Sequence, residues 1–365
     1  MNGAWIFVFL RTFASSNRNI MNQEKNHHQT KWYIIPVIVC IVAIVGLAYY
    51  YMFSSLSKEQ ETVYVCIDDN DNVDSVFTKV QAIASLHGIT GFKTLARHSS
   101  YPDNIRTGRY EVKPSEGAFK VFRKMKNGMQ TPLNLTIPSV RTMDRLAAVL
   151  GEKLMIDSTE IVQALTDPAV CEKYGYDTLT IGCMFIPNTY DIYWNTSLDN
   201  FLDRMKKECD TFWNKERQQK ASAMGFSREQ VITLASIIDE ESNDDGEKPM
   251  IAGMYYNRLM QNMPLQADPT VKFATKDFAA RRIYEKMLRI DSPYNTYRNT
   301  GLPPGPIRIP TVAGIDAVLN YAKHDYLYMC AKEDFSGTHN FARTYSEHLV
   351  NAAKYSDALN KRGIR

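Results

Sequence analysis

Between positions 227 and 241, hydrophobic residues recur at the spacing of an amphipathic helix, and an acidic cluster ends the pattern. Glu241 follows Ile238 by three residues and Leu234 by seven, so it falls on the apolar face. Glu240 is expected to point towards water. A carboxyl group partly withdrawn from water has a raised pKa, and a glutamate with a pKa of about 6–7 can act as a general acid at neutral pH. The alternative is a solvated helix end that carries three unrelated acids.

The residues on either side of the acidic cluster predict the neighbouring secondary structure. Ser227 and Gln230 predict a capping box at the start of the helix. After a turn at 244–246, a second helix is expected from Pro249 to about Asn262. Loops rich in proline and glycine follow, and they either form part of a functional site or act as a rigid connector. A buried strand is predicted at 326–330 and a last helix at 345–359.

Upstream, alternating and helical patterns mix, which predicts an α+β fold. Strands are expected at 61–67, 109–112 and 133–137, with helices between them, which together give a small α+β unit over 61–137. A long charged helix is predicted at 198–223.

One segment is apolar without interruption. Residues 32–53 read WYIIPVIVCIVAIVGLAYYYMF and carry no charge, which is enough for one membrane-spanning helix of about 20 residues. Aromatic residues stand at both ends, as at membrane interfaces. A cleaved signal peptide is the alternative, but the run is long and Tyr49-Tyr50-Tyr51 is a poor cleavage site.

The charges that flank this span predict its orientation. Arg11, Arg18, Lys25 and Lys31 precede it, opposed by a single acid, Glu24. The positive-inside rule then places a tail of residues 1–31 in the cytoplasm and the rest of the chain outside the cytoplasmic membrane. Translation could start at Met1 or at Met21.

Composition narrows the function classes further. The chain has 365 residues and a formal net charge of +3, which argues against a nucleic-acid binder. Its six cysteines show neither a disulfide framework nor metal-ligand spacing, so no metal and no cofactor are expected. A protease is disfavoured because no nucleophile–base pair can be named.

Several motifs together resemble the YceG-like family of membrane-anchored endolytic murein transglycosylases. The matching elements appear in the family's order and are strongest after position 229: ASIIDEES at 235–242, NRL at 257–259, LQADPTV at 265–271, YNTY at 294–297, GLPPG at 301–305 and HNF at 339–341. The first acid of the family's motif is usually glutamate, and here it is Asp239.

The resemblance implies a reaction and a catalytic acid. Enzymes of this family cleave the β-1,4 bond between N-acetylmuramic acid and N-acetylglucosamine without water, and leave a 1,6-anhydro end. The family's catalytic glutamate aligns with Glu241. One acid suffices because the attacking hydroxyl belongs to the substrate, whereas ordinary glycosidases use two carboxylates.

Residues near Glu241 in these motifs are candidates for substrate binding: Asn257, Arg258, Gln266, Asp268, Tyr294, Asn295 and His339. Each has a structural alternative. Asn257 and Gln266 would brace the loop, Asp268 would cap or fix the Asp-Pro turn, and Arg258 would pair with Asp239 or Glu240 instead of a stem-peptide carboxylate.

The predicted organisation is therefore a tail at 1–31, a span at 32–53, a LysM-like α+β subdomain at 61–137 and an α+β catalytic domain at 138–360, the LysM-like assignment coming from the resemblance. Peptidoglycan strands are the expected partner, and the resemblance suggests penicillin-binding synthases as further partners. The rival hypothesis is a non-catalytic glycan-binding scaffold of the cell-wall synthesis machinery.

Overall fold

The computed structural model describes residues 34–280 and 283–363, and the chain divides into two compact units at the junction of Thr131 and Pro132. The predicted cytoplasmic tail and the first two residues of the predicted span lie outside the described residues. The architecture is mixed α+β, as the sequence predicts.

The first unit begins with an apolar helix, α1 (Ile34–Phe53), which is long and apolar enough to cross a membrane. The elements after it are β1 (Val63–Ile67), α2 (Val73–Ile83), α3 (Leu86–Arg97), β2 (Gly108–Val112) and α4 (Ala118–Asn127). Strands β1 and β2 pair antiparallel, with Val65 opposite Tyr110. Their inward side chains pack with those of the three helices, and Phe92 and Val80 are fully buried.

The sequence pattern predicts one helix over 74–86, but α2 ends at Ile83. Ser85 caps a separate helix, α3, by accepting a hydrogen bond from the Gly88 amide at 3.2 Å. The pattern predicts no helix over 87–97, because Gly88 and Gly91 weaken the helical signal there.

The second unit contains the remaining elements: β3 (Leu133–Thr136), α5 (Met143–Lys153), α6 (Ser158–Thr166), α7 (Pro168–Lys173), β4 (Thr189–Ile192), α8 (Leu198–Phe212), α9 (Lys215–Met224), α10 (Arg228–Glu241), α11 (Lys248–Met260), α12 (Asp268–Thr275), α13 (Glu285–Leu288), α14 (Val312–Leu319), β5 (Tyr328–Ala331), β6 (His339–Ala342) and α15 (Tyr345–Lys361). A short 3-10 turn, Ile181–Met184, precedes β4.

Two expectations about these elements are wrong. Strand β3 pairs antiparallel with β4, Leu135 opposite Tyr190, and so belongs to the second unit rather than to the small one. The long charged helix is two helices, because the Asn214 side chain accepts from the Arg217 amide and starts α9.

Helix α10 forms the centre of the second unit. Its capping box is present as predicted, with Ser227 and Gln230 bonding reciprocally. All its residues from Val231 to Asp239 are buried, including the polar Thr233, Ser236 and Asp239, so the helix is buried on every side rather than along one stripe. Helix α14 packs closely against the last turns of α10. Gly314 allows this approach, because a Cβ at this position would overlap the Asp239 carboxylate.

Candidate active site

A cleft of about 330 Å³ opens at the C-terminal end of α10 in the second unit. Five residues singled out from the sequence line it: Glu241, Arg258, Gln266, Asp268 and His339. The other lining residues are Met254, Tyr255, Leu265, Tyr297, Tyr328, Met329, Cys330, Ala331, Tyr345 and His348.

The Glu241 carboxyl group lies partly buried in the wall of this cleft. Its pKa is raised to about 7, chiefly because burial removes water from the charged form. The negative charges of Asp268 and Glu240 raise this pKa as well, while a hydrogen bond from Tyr255 and the charge of Lys272 lower it. The carboxyl group can therefore keep its proton close to neutral pH, as a general acid requires.

Two tyrosines hold the carboxylates of the cleft. The Tyr255 hydroxyl of α11 donates to Glu241 Oε1 at 2.8 Å. The Tyr297 hydroxyl donates to Asp268 Oδ1 at 2.6 Å. Asp268 does not cap its helix, contrary to the alternative considered above, because the N-cap residue is Ala267 and no side chain caps it. Its carboxylate instead lines the cleft with Glu241.

Arg258 is buried in the wall of the cleft and stabilises it through hydrogen bonds to backbone carbonyls. Its guanidinium donates to the carbonyl oxygens of Leu327 at 2.6 Å and Leu265 at 2.7 Å. It also lies over the Tyr328 ring, 5.2 Å from the centroid. The alternative in which Arg258 pairs with Asp239 or Glu240 is wrong, because backbone carbonyls take its donors and both acids have other partners.

Gln266 stands in the left-handed backbone region, with a φ of 52°, which is uncommon for a residue other than glycine. Its amide donates to the Thr296 carbonyl at 3.0 Å, which fixes the turn before α12. The surrounding structure thus maintains a strained backbone at the cleft, a feature that often accompanies functional sites.

Three predicted residues do not reach the cleft. Asn257 donates to the carbonyls of His324 and Tyr326, at 2.6 and 3.1 Å. Asn295 is fully buried and braces its loop through the carbonyls of Leu288 and Ile290. Tyr294 is also buried, and its ring packs against Phe273 away from the cleft.

His339 enters the cleft from strand β6, and Glu247 orients it. The buried Glu247 carboxylate accepts from the His339 amide at 2.6 Å and lies 3.0 Å from His339 Nδ1. Ser242, directly after Glu241, donates to the same carboxylate at 3.2 Å. This pairing holds the imidazole at Nδ1 and leaves Nε2 as its other polar atom.

The two acids before Glu241 also differ from expectation. Glu240 does not point freely into water; it accepts from Arg141 at 2.7 Å and pairs with Arg308 at 3.0 Å. Asp239 is buried and pairs with the equally buried Lys248 at 2.8 Å. It also accepts from the Thr311 amide at 2.5 Å, at the N-terminus of α14. Each acid thus ties the end of α10 to a different part of the unit.

Sequence reasoning missed several cleft residues. Sequence analysis assigns no role to Tyr255, and from the YNTY motif at 294–297 it selects Tyr294 rather than Tyr297. Tyr255 and Glu241 are 14 positions apart on different helices, so no local sequence pattern links them; only the fold brings the two side chains together. Within the described residues, no group of three or more His, Cys, Asp or Glu side chains is arranged to hold a metal ion.

Comparison with known proteins now decides the family. Residues 65–354 match the YceG-like family. The chain belongs to this family. A Bacillus subtilis protein named endolytic murein transglycosylase is 28% identical over 344 residues, which cover 87% of this chain and 93% of that protein.

Two further similar proteins are informative. A Streptococcus pneumoniae D39 protein with the same name is 26% identical over 364 residues, and this chain spans 65% of its length. A crystal structure of a yceG-like protein from Listeria monocytogenes, 27% identical, superposes with a TM-score of 0.53 and covers 80% of this chain and 99% of its own.

Proposed function

We propose that this YceG-like protein is a membrane-anchored endolytic lytic transglycosylase. It cleaves the β-1,4 bond between N-acetylmuramic acid and N-acetylglucosamine in nascent peptidoglycan, leaves 1,6-anhydro ends and so limits strand elongation. The names of the relatives support murein as the substrate. The observation that carries the mechanism is the Glu241 carboxyl group, whose pKa is raised to about 7 beside a cleft.

Glu241 performs both proton transfers in this proposal. Protonated, it donates to the glycosidic oxygen while the bond from that oxygen to C1 of the muramyl residue breaks. The 6-hydroxyl oxygen of the same muramyl residue forms the new bond to C1, and its proton passes to the Glu241 carboxylate. The acid is thereby regenerated, and no water is consumed.

The surrounding groups serve this cycle. Tyr255 donates to the carboxylate and stabilises it after the first transfer. The Asp268 carboxylate keeps the local field negative, which suits an oxocarbenium-like charge at C1. Gln266 and His339 present polar atoms to the cleft for the sugar's hydroxyl and N-acetyl groups. Arg258 acts indirectly, by holding the wall in place.

In this proposal, the other parts of the chain bring the catalytic unit to the cell wall. Helix α1 anchors the protein in the cytoplasmic membrane with its N-terminus inside, and the catalytic unit works on the outer side. The first unit is LysM-like and holds glycan, and penicillin-binding synthases supply the nascent strands.

The test is digestion of purified peptidoglycan by the full-length protein in water enriched in heavy oxygen. Anhydro-muramyl products, lighter by one water than hydrolysis products and free of label, are expected. Labelled reducing ends would instead indicate a hydrolase, with Asp268 as the second carboxylate. Binding without any cleavage would favour the glycan-binding scaffold.

A further inference from the structure

The outer end of α1 is packed into the first unit rather than joined to it by a flexible linker. The chain after α1 forms backbone hydrogen bonds on two sides: the Leu56 amide donates to Glu116 and the Ser85 amide donates to Leu56, both at 2.8 Å. Leu56 itself is fully buried in the core of the unit. The direction of α1 is therefore fixed relative to the rest of this unit.

Glycines allow this close packing. A Cβ on Gly91 of α3 would overlap the Tyr51 carbonyl, and one on Gly117, just before α4, would come within 2.7 Å of Phe53. Aromatic contacts extend the junction, with the Phe53 ring 5.6 Å from Phe119 and the Tyr50 ring 4.7 Å from His87. Both α3 and α4 thus begin at the outer end of α1.

The opposite end of the unit can also be located. The Thr131 amide, after α4, donates to the Arg109 carbonyl near the start of β2. Strand β2 then runs back from Gly108 to Val112, towards the segment that precedes α4. The C-terminal end of α4 therefore lies away from α1, about 15 Å from its N-terminal end at 1.5 Å per residue.

Two large apolar side chains are exposed at the end near α1. Leu86, the first residue of α3, is 85% exposed, and Phe119, in the first turn of α4, is 39% exposed. In an aqueous setting these side chains would face water beside an aromatic helix end. Side chains on a helix lean towards its N-terminus, and the rings of Tyr50 and Phe53, on the last turns of α1, contact His87 and Phe119.

We infer that the first turns of α3 and α4 form a membrane-contact surface, with Leu86 and Phe119 inserted into the lipid interface beside α1. The inference rests on the proposed anchoring by α1 and goes beyond it. An anchor alone leaves the outer part free to move above the bilayer. With this contact the first unit lies against the lipid in one orientation, as interfacial apolar and aromatic residues do.

A photo-crosslinking experiment tests the surface. Benzoylphenylalanine replaces one residue at a time in the full-length protein, which is reconstituted into vesicles of phosphatidylethanolamine and phosphatidylglycerol. Lipid adducts are measured by mass spectrometry. Positions 86 and 119 are expected to form adducts as strongly as position 42, in the middle of α1. Met129 is the matched control, since it is also large, apolar and 54% exposed but lies beyond the far end of α4.

The outcomes separate the inference from the anchoring. The membrane-contact surface is supported if lipid adducts form at positions 42, 86 and 119, while position 129 gives no more adduct than a sample kept without irradiation. Adducts at 42 alone overturn it and leave the anchoring intact, and equal adducts at 86, 119 and 129 also overturn it, because the probe itself would then be seeking lipid. No adduct at 42 overturns both. A circular dichroism spectrum equal to that of the parent shows that the fold of each variant is unchanged. We expect this result at position 86, because Leu86 is exposed.

Discussion

Replacing Glu241 tests the central role at the scale of a single residue. Glu241→Gln keeps the size of the side chain and can still accept from Tyr255, but it removes the titratable proton. Anhydro-product formation should fall by about 10²–10⁴-fold or more, since loss of general acid–base catalysis alone costs that much and both transfers use this group. The rate of product release from purified peptidoglycan is the measurement.

Stability supplies the control for this variant. The Glu241 pKa is raised from 4.5 to about 7 in the folded chain, so the folded state binds more protons than the unfolded state between these values. Its contribution to the free energy of unfolding is then present in acid and is lost as pH rises from about 4.5 to 7. Glu241→Gln should therefore gain stability relative to the parent as pH rises. A variant that unfolds more easily at pH 8 would contradict the burial argument.

A second prediction concerns the pH dependence of cleavage, which substitutions of Tyr255 and Asp268 should shift in opposite directions. The rate should fall above about pH 7 as Glu241 ionises. Tyr255→Phe removes a donor that lowers this pKa, so the alkaline limb should move to higher pH. Asp268→Asn removes a charge that raises it, so the limb should move to lower pH. Initial rates across pH give both shifts.

Tyr256→Phe is the matched control, because Tyr256 lies on the same helix but its hydroxyl donates to the Met224 carbonyl, at 3.5 Å, rather than to Glu241. Its pH profile should equal that of the parent. Shifts of the same sign for Tyr255→Phe and Asp268→Asn would show that these groups do not set the Glu241 pKa.

At this scale, the sequence predicts the position of a side chain well when the geometry of its own helix determines it. The prediction fails when residues from distant segments of the chain also determine it. The three- and seven-residue spacing correctly placed Glu241 beside apolar neighbours, because helical geometry alone sets it. The same spacing misplaced Glu240, since Arg141 and Arg308 reach it from segments 99 and 68 residues away in the chain. Partners so distant leave no periodic trace.

At the scale of elements, α10 is held by charge as well as by packing. Asp239 couples it to Lys248 of α11 and to the first turn of α14, and only 2% of the Asp239 side chain is exposed. Glu240 couples it to two arginines at a more accessible position. Both acids therefore support the helix end that presents Glu241, and neither lines the cleft.

A third prediction follows from this difference in burial. Asp239→Asn leaves the buried Lys248 ammonium with Asp245 as its remaining carboxylate, and should lower the free energy of unfolding by about 3 kcal/mol. Glu240→Gln, nearer the surface, should cost about 1–2 kcal/mol. Chemical denaturation measures both.

Two controls make this test specific. Asp245→Asn removes only an exposed partner of Lys248 and should change stability by less than about 0.5 kcal/mol. Combining Asp239→Asn with Lys248→Met removes both buried charges and should recover much of the loss. No recovery in the double variant would indicate that Asp239 acts through Thr311 rather than through Lys248.

Element boundaries show the same limit of sequence reasoning. The capping box of α10 was visible because its residues are three apart, whereas the pairing of β3 was assigned to the wrong unit. Strand β3 meets β4, whose residues lie more than 50 positions later, and nothing local distinguishes this partner from β2. Likewise, Asn257 and Asn295 looked like ligand groups, yet each satisfies loop carbonyls that only the folded chain brings near.

At the scale of the whole molecule, the proposed function depends on which side of the membrane the second unit occupies. Peptidoglycan lies outside the cytoplasmic membrane, so the residues after α1 must be exported. Four basic residues and one acid precede the apolar run, while Lys58, Glu59 and Glu61 follow it. The positive-inside rule therefore predicts a cytoplasmic N-terminus and an external C-terminus.

A reporter enzyme that is active only outside the cytoplasm, fused after Arg365, should be active. The same reporter joined directly after Lys31, ahead of the span, should be silent. Replacing Arg11, Arg18, Lys25 and Lys31 with glutamine removes the charge bias, so part of the population should invert and the activity of the Arg365 fusion should fall at equal expression. A silent Arg365 fusion in the parent would place Glu241 away from peptidoglycan, and the proposed function could not stand however well the isolated cleft performed.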